Sequence, residues 1–317
     1  MSLNIVLTDC NTVTSGDIDL SVLEKFGNVV YYTESKPEEV PERIRDADIV
    51  VLNKTVIGEA ELKHAAHLKL IALLATGYNN IDIDYARKIG ITVCNAGSYS
   101  TSAVAQQVFG FILANATKTA EYDRDVKNGV WIRSRLFCFF SHPTYELKGK
   151  TIGIFGYGAI GHRVAEIARA FEMNVIATTR TPKTDDIAKF VDFETLLTQS
   201  DYISVNCPLN DSTREIFNAE AFSKMKKGAY FINTARGGVI NEHDLGNALK
   251  SGHLSGAALD VLTSEPMRDD CPLINAPNIT FTPHIAWAPF ETRVRLLSIV
   301  EENIRCFLNG TPKNVVN

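Results

Sequence analysis

Long apolar runs and clustered positive charge are both scarce in this sequence. Its longest apolar stretches have the length of a β-strand, well short of the ~20 residues that a membrane-spanning helix needs. The 317 residues carry a formal net charge of −5, and no long run of Lys and Arg marks a surface for nucleic acid. We therefore expect neither a membrane protein nor a nucleic-acid partner.

Cysteine spacings typical of metal or redox sites are also lacking. None of the six cysteines belongs to a C-x-x-C motif, so we expect reduced, mostly buried thiols and no bound metal. Glu61, His64 and His67 have helical spacing for a metal site, but no further ligand accompanies them. The amino-terminal segment lacks a basic start followed by an apolar stretch, and Asp9 interrupts it, so we expect a cytoplasmic protein.

Length and periodicity predict an α/β protein of two domains. A chain of 317 residues is too long for one typical core. Short β-branched runs alternate with helical stretches, and these runs are continuously apolar, as in parallel strands with helices on both faces. The predicted strands are Ile5–Leu7, Val29–Tyr31, Ile49–Leu52, Leu70–Leu74, Ile91–Val93, Thr151–Phe155, Val175–Thr178, Tyr202–Val205, Tyr230–Ile232, Gly256–Leu259 and Ile279–Phe281. The first five fit a flavodoxin-like domain, and the last six fit a six-stranded dinucleotide-binding domain.

Long helical patterns run from Thr101 to about Lys118 and from about Pro289 to Leu308. The stretch from 121 to 150 is less regular and is rich in aromatic side chains, namely Trp131, Phe137, Phe139 and Phe140. Two interpretations stay open for these aromatics, local packing and a contact with a second subunit.

A glycine-rich loop follows the predicted strand Thr151–Phe155 and opens a predicted helix, Ala159–Phe171. Such a G-x-G-x-x-G loop predicts a dinucleotide site in this context. Gly156 allows the tight turn, Gly158 lets the backbone approach a pyrophosphate, and Gly161 lets the helix pack close to the strand. The loop consists of Gly156, Tyr157, Gly158, Ala159, Ile160 and Gly161.

The end of the following strand bears on the choice between NAD and NADP. Sites for NAD usually carry Asp or Glu there, to accept a hydrogen bond from the ribose 2′-OH. This chain has the neutral Thr179, followed by the cations Arg180 and Lys183. We therefore expect NADPH to be accepted. The alternative is that Arg180 stacks on the adenine and NAD is still used.

Three segments of the second half bring polar side chains to the carboxyl ends of predicted strands. They are Asn233–Gly238, Ala258–Pro266 and Thr282–Trp287, and they contain Arg236, Glu265 and His284. Ligands bind at this edge in open α/β sheets. Each residue has a structural alternative: Arg236 as a helix cap or domain bridge, Glu265 as a turn residue, and His284 as a satisfied loop histidine.

The combination of these segments with the glycine loop resembles the D-isomer-specific 2-hydroxyacid dehydrogenase family, over essentially the whole chain. The resemblance implies a Rossmann nucleotide-binding domain, residues 100–285, inserted into a flavodoxin-like substrate domain, residues 1–99 and 286–317. It implies that Arg236 orients the substrate, that His284 is the acid/base and that Glu265 is its partner. It places Asp260 at the nicotinamide amide. Further implied cofactor contacts are Cys207, Pro208, Thr234 and Ala235.

The implied roles suit the chemistry of a 2-oxo acid. The planar fork of Arg binds a carboxylate with two hydrogen bonds, and it can polarise the neighbouring C2 carbonyl. His can give or take the proton of the C2 oxygen near neutral pH, and a nearby Glu fixes its ring. The nicotinamide carries the hydride.

Substrate contacts are expected from the first domain as well. Thr76 and Gly77 match a family loop whose backbone N–H groups meet the substrate carboxylate, and Asn53-Lys54 should face the same cleft. Lys54 is either a second electrostatic contact or a surface charge. Tyr99–Gln106 resembles the family's interdomain hinge.

Within the family, Asn53-Lys54, Tyr99–Gln106 and Thr282–Trp287 are most similar to glycerate dehydrogenases, also called hydroxypyruvate reductases. We expect hydroxypyruvate and D-glycerate as the substrate pair, glyoxylate as a second substrate, and a homodimer. One alternative is a dehydrogenase for another 2-hydroxy acid, and a second is a nucleotide-sensing corepressor of the same fold. A third is a formate dehydrogenase, but those enzymes use Gln beside the His, and this chain has Glu265.

Overall fold

The computed structural model describes residues 2–181 and 184–317, so the predicted cofactor residue Lys183 lies outside the described part. The chain forms two compact units. One unit contains Met1–Ser100 and Ala288–Asn317, and the other contains Thr101–Trp287.

The discontinuous unit is built on a five-stranded parallel sheet. Its strands are β1 (Leu3–Leu7), β2 (Gly27–Tyr31), β3 (Ile49–Leu52), β4 (Leu70–Leu73) and β5 (Thr92–Cys94). Their order is β2-β1-β3-β4-β5, which is the flavodoxin-like order. All four residues of β3 and of β4 are buried, as expected for central strands covered on both faces.

Short helices and one long helix complete this unit. The α-helices are α1 (Val40–Ile44), α2 (Glu59–Leu62), α3 (Ile83–Lys88) and the carboxyl-terminal α11 (Phe290–Leu308), and the 3-10 helices are Cys10–Thr12, Ser21–Phe26 and Pro37–Glu39. Helix α3 begins at Asp82, whose carboxylate accepts a hydrogen bond from the Tyr85 N–H at 2.9 Å. Such a cap satisfies one of the free donors of a first turn.

The continuous unit contains a seven-stranded parallel sheet. Its strands are β6 (Thr151–Phe155), β7 (Asn174–Thr178), β8 (Lys189–Phe190), β9 (Tyr202–Val205), β10 (Tyr230–Asn233), β11 (Gly256–Leu259) and β12 (Ile279–Phe281). Their order is β12-β11-β10-β9-β6-β7-β8. Strands β7 and β8 are thus added on one side of β6 and strands β9 to β12 on the other. The switch point between β6 and β9 is the place where dinucleotides bind in Rossmann folds.

The expectation of six strands in this sheet was wrong, because β8 adds a seventh. A strand of two residues is too short to appear as an apolar run in the sequence, and one of the two, Lys189, is exposed. The strand forms at the edge of the sheet by pairing Lys189 with Ile176 and Phe190 with Ala177. The predicted fold class, two doubly wound parallel-sheet domains of Rossmann and flavodoxin-like type, is confirmed.

Seven α-helices are described in this unit, with one 3-10 helix, Gly237–Val239. The α-helices are α4 (Thr101–Thr117), α5 (Thr119–Lys127), α6 (Val130–Arg133), α7 (Ala159–Ala170), α8 (Phe193–Gln199), α9 (Ala219–Lys224) and α10 (Glu242–Lys250). Within the described residues, no helix combines the length and the apolar character needed to cross a membrane. The same residues contain no group of three His, Cys, Asp or Glu side chains that could hold a metal ion.

The aromatic segment after α5 remains largely uncovered in the single chain. Phe137 is 93% exposed and Phe140 is 86% exposed, whereas the ring of Phe139 packs at 5.7 Å from that of Tyr122. The Trp131 indole N–H donates to the Phe137 carbonyl at 3.0 Å. Local packing therefore accounts for Phe139 but leaves Phe137 and Phe140 in solvent.

Candidate active site

His284 and Glu265 form the closest pair of titratable side chains in the predicted constellation. The His284 Nδ1 atom lies 2.6 Å from Glu265 Oε2. The other oxygen, Oε1, accepts a hydrogen bond from the Leu262 N–H at 2.9 Å, which fixes the carboxylate. The His284 Nε2 atom has no hydrogen-bond partner in the described residues. The imidazole is therefore held through Nδ1, and Nε2 remains available for contact with a ligand.

The backbone around His284 is held in an unusual conformation by Asp260. His284 has a φ of +54°, a region that residues other than Gly seldom adopt. The Asp260 carboxylate, at the end of β11, accepts hydrogen bonds from the N–H groups of Ile285 and Ala286 at 2.9 Å and from the Thr282 hydroxyl. Burial raises the pKa of Asp260, while these three donors oppose that rise. Asp260 thus anchors both flanks of the histidine.

Arg236 follows β10 in a turn that the buried Asn233 closes. The Asn233 side chain donates to the Arg236 carbonyl at 2.9 Å and accepts from the Ala235 N–H at 3.0 Å. The Arg236 guanidinium donates to the Ala235 carbonyl at 2.7 Å. The side chain is half-buried, so the guanidinium is held close to its own turn and still reaches solvent.

Gly237 brings the arginine turn against the segment that leads to Glu265. A Cβ atom at Gly237 would lie 1.9 Å from the carbonyl carbon of Leu262, so no other residue fits this backbone. Leu262 is also the residue whose N–H holds Glu265. Arg236, Glu265 and His284 thus follow β10, β11 and β12, three neighbouring strands with a common carboxyl edge.

The glycine loop has the close contacts that its spacing predicts. Gly156 has a φ of +94°, and a Cβ there would lie 2.8 Å from the Cys207 nitrogen. A Cβ at Gly161 would lie 2.2 Å from the Gly156 oxygen, so the first turn of α7 packs directly on the loop. At Gly158, which precedes α7, a Cβ would meet nothing within 4 Å. That open space at a helix amino terminus suits a pyrophosphate.

Tyr157 fixes the glycine loop through its buried side chain. Its side chain is 3% exposed, and its ring lies 5.1 Å from that of Phe190 in β8. Burial and the nearby negative charge of Asp185 raise the pKa of Tyr157, so the phenol stays protonated. The other loop residues, Ala159 and Ile160, lie in the first turn of α7.

Buried polar atoms at the same sheet edge fit a nicotinamide dinucleotide. Thr234 Oγ1 and Asn206 Oδ1 are buried without a hydrogen-bond partner in the described residues. They follow β10 and β9, on the side of the switch point where a dinucleotide binds. Buried polar atoms usually have partners, so these two oxygens are candidate ligand contacts. Asn206 directly precedes the predicted cofactor contacts Cys207 and Pro208.

The protein family of this chain is identified by a match to a family model. Residues 109–286 match the model described as D-isomer specific 2-hydroxyacid dehydrogenase, NAD binding domain. The chain belongs to this family. It is accordingly an oxidoreductase that acts on 2-hydroxy acids with a nicotinamide cofactor, as predicted.

Similar proteins cover nearly the whole of this dehydrogenase. A hydroxypyruvate reductase of Blautia hydrogenotrophica is 39% identical over 99% of this chain and 100% of its own. A glycerate dehydrogenase of Methylorubrum extorquens is 40% identical over 90% of each chain. Among solved structures, an acyclic imino acid reductase in complex with NADPH and D-Arg superimposes with a TM-score of 0.88 at 31% identity, over 99% of this chain and 100% of that one.

Other predicted cofactor residues of the dehydrogenase lie at the ends of β7 and β9. Thr179 is half-buried and Arg180 is exposed directly after β7. Cys207 is buried and Pro208 is exposed directly after β9. Burial raises the pKa of the Cys207 thiol to about 11, so this cysteine remains protonated and is not a nucleophile at neutral pH. These positions stay predictions as cofactor contacts.

The predicted substrate residues belong to the discontinuous unit. Asn53 is 3% exposed, and its Nδ2 atom donates to the Thr12 carbonyl at 3.2 Å, whereas the neighbouring Lys54 side chain is exposed. The Thr76 hydroxyl donates to the Gly97 carbonyl. Gly77 follows Thr76 in the loop after β4 and is half-buried. Their roles toward substrate also stay predictions.

Proposed function

We propose that this dehydrogenase reduces hydroxypyruvate to D-glycerate, and glyoxylate as a second substrate, with NAD(P)H as the hydride donor. The observation that supports the proposal most is the His284–Glu265 pair, fixed at 2.6 Å beside the Arg236 turn at one sheet edge. The names of two relatives, hydroxypyruvate reductase and glycerate dehydrogenase, favour this substrate over other 2-oxo acids.

In the proposed reaction, Arg236 binds the substrate carboxylate and polarises the C2 carbonyl. A guanidinium can hold a carboxylate with two parallel hydrogen bonds, which also sets the face of C2 that is presented. Negative charge develops on the C2 oxygen during reduction, and the same cation stabilises it. The nicotinamide, when bound, supplies the hydride.

His284 delivers the proton in this proposal. Because Nδ1 is held on Glu265, the proton that reaches the C2 oxygen comes from Nε2. Glu265 is a positioning residue here, since its own second oxygen is tied to the Leu262 N–H. In the oxidative direction, the same nitrogen accepts the hydroxyl proton of D-glycerate.

We assign the two parts of the chain different tasks. The proposed NAD(P)-binding domain is 100–285, with the glycine loop and the two buried oxygens Thr234 Oγ1 and Asn206 Oδ1 as support. The proposed substrate domain is 1–99 and 286–317. Because neither Thr179 nor Arg180, the two residues after β7, is acidic, we propose that NADPH is used as well as NADH.

The test is a steady-state comparison of hydroxypyruvate, glyoxylate and pyruvate with NADPH and NADH, followed at 340 nm. We expect the highest kcat/KM for hydroxypyruvate, a lower value for glyoxylate, and turnover with both cofactors. A higher value for pyruvate would assign another substrate. Tight NADPH binding without turnover of any 2-oxo acid would instead favour the nucleotide-sensing alternative.

We also propose that the chain acts as a homodimer in the cytoplasm. Leu136, Phe137 and Phe140 are each at least 70% exposed within one short segment, and a second copy of the chain would cover them. Light scattering should give twice the chain mass of 35.0 kDa, and Phe137→Ser should shift the mass toward that of the monomer. A monomeric wild type would contradict this proposal.

A further inference from the structure

Asp9 is a buried carboxylate whose partners are backbone amides rather than a cation. It is 4% exposed and follows β1. Its oxygens accept hydrogen bonds from the N–H groups of Asn53 and Thr55, each at 2.9 Å, and of Lys54 at 2.5 Å. Three consecutive amides of the loop after β3 therefore converge on one side chain. Burying a carboxylate is costly unless such donors surround it.

The position of Asp9 follows from the sheet. β1 and β3 are parallel neighbours, with Leu7 opposite Val51, so the segments that follow them leave the same edge. The loop is held from its carbonyl side too, because the Asn80 side chain donates to the Thr55 carbonyl at 2.8 Å and to the Asn53 carbonyl at 3.4 Å. Asn80 belongs to the loop after β4, which also contains Thr76 and Gly77.

From these contacts we infer that Asp9 is a positioning residue for the 2-oxo acid, acting through the backbone of Lys54. Its carboxylate fixes the loop 53–55 and so fixes the backbone from which the exposed Lys54 side chain extends before substrate arrives. This inference rests on the proposed function and on the predicted contact of Lys54 with the substrate. A pre-set cation binds an anion without the entropic cost of ordering its loop.

Asp9→Asn is the direct test, because an amide nitrogen would face backbone N–H groups that need an acceptor. We expect the KM for hydroxypyruvate to rise about tenfold or more, with the KM for NADPH changed by less than about twofold. The matched control is Asp48→Asn. Asp48 accepts the Asn4 N–H at 3.0 Å at the opposite edge of the same sheet, so its loss should lower Tm and leave both KM values unchanged.

A double-mutant cycle separates positioning from general stabilisation. Lys54→Met alone should raise the KM for hydroxypyruvate, and Asp9→Asn added to it should raise that KM by less than about twofold more. Should Asp9→Asn not fold, Asn80→Ala loosens the same loop from its carbonyl side and replaces it in the cycle. We then expect a rise of about threefold that likewise disappears in the Lys54→Met background.

The outcomes distinguish this inference from the proposed function. Wild-type turnover with an unchanged KM in Asp9→Asn overturns the inference alone. So does a double mutant whose KM for hydroxypyruvate rises by the product of the two single-mutant effects. A wild type that turns over no 2-oxo acid overturns the proposed function, and the inference falls with it. A raised KM for hydroxypyruvate only, absent from the Lys54→Met background, supports both.

Discussion

Replacing Arg236 by Ala is expected to lower kcat/KM for hydroxypyruvate by about 10³-fold, since the variant loses the cation that binds the carboxylate and stabilises charge on the C2 oxygen. The affinity for NADPH should stay within about twofold, because the guanidinium contacts its own turn rather than the glycine loop. Steady-state kinetics and a fluorescence titration with NADPH measure the two quantities.

Arg268→Ala is the matched control for this prediction. Arg268 lies in the segment after β11, is exposed, and pairs only weakly with the equally exposed Asp270 at 3.1 Å. Its replacement should leave kcat/KM unchanged. Arg236→Lys keeps the charge but not the planar fork, and we expect it to recover only part of the loss. Turnover near the wild-type level in Arg236→Ala would remove the residue from the mechanism.

The second large effect is expected from His284. Asn is the appropriate replacement, because it tolerates the φ of +54° at this position better than other residues that cannot transfer a proton. We expect kcat to fall by about 10²–10⁴-fold, the range for loss of a positioned general acid. The KM for NADPH should change little.

His243→Asn provides the comparison for His284→Asn. His243 is exposed on α10 in the same unit and lies outside the three segments that contain Arg236, Glu265 and His284. We expect it to retain wild-type kcat. A His284→Asn enzyme whose kcat falls by less than tenfold would show that water or another group delivers the proton.

The sheets could be predicted because their strands are buried on both faces and therefore have long apolar runs. β3 and β4 are of this kind, and each is fully buried in the structure. β8 could not be predicted in this way. It has two residues, one of them Lys189, and it forms by backbone pairing with the edge of β7.

The candidate site was predicted unevenly. The glycine loop and the segments containing Arg236, Glu265 and His284 have local signals, because each combines a strand end with a residue suited to the chemistry. The anchoring contacts have none. Asp9 lies 44 residues from Asn53, and Asp260 lies 26 residues from Ala286. Separations of this length give no local pattern in the sequence. Only the folded chain therefore shows that these carboxylates hold the loops of the site.

The conformation of His284 was equally inaccessible to sequence analysis. A positive φ is expected at Gly or Asn, and the residues around His284 contain neither. The conformation results from hydrogen bonds to Asp260 on both flanks, which are tertiary contacts. The missing hydrogen-bond partner of the buried Asn206 oxygen likewise became apparent only from the contacts in the described part of the chain.

The central claim is that a hydride passes directly from a bound nicotinamide to C2 of a 2-oxo acid beside Arg236 and His284. It is tested most directly by incubating the enzyme with hydroxypyruvate and NADPH or NADH deuterated at C4, on each face in turn, and analysing the glycerate by NMR and chiral chromatography. The account predicts D-glycerate that contains one deuterium at C2 from one face only. Glycerate without deuterium from either face, or no glycerate at all, would contradict it.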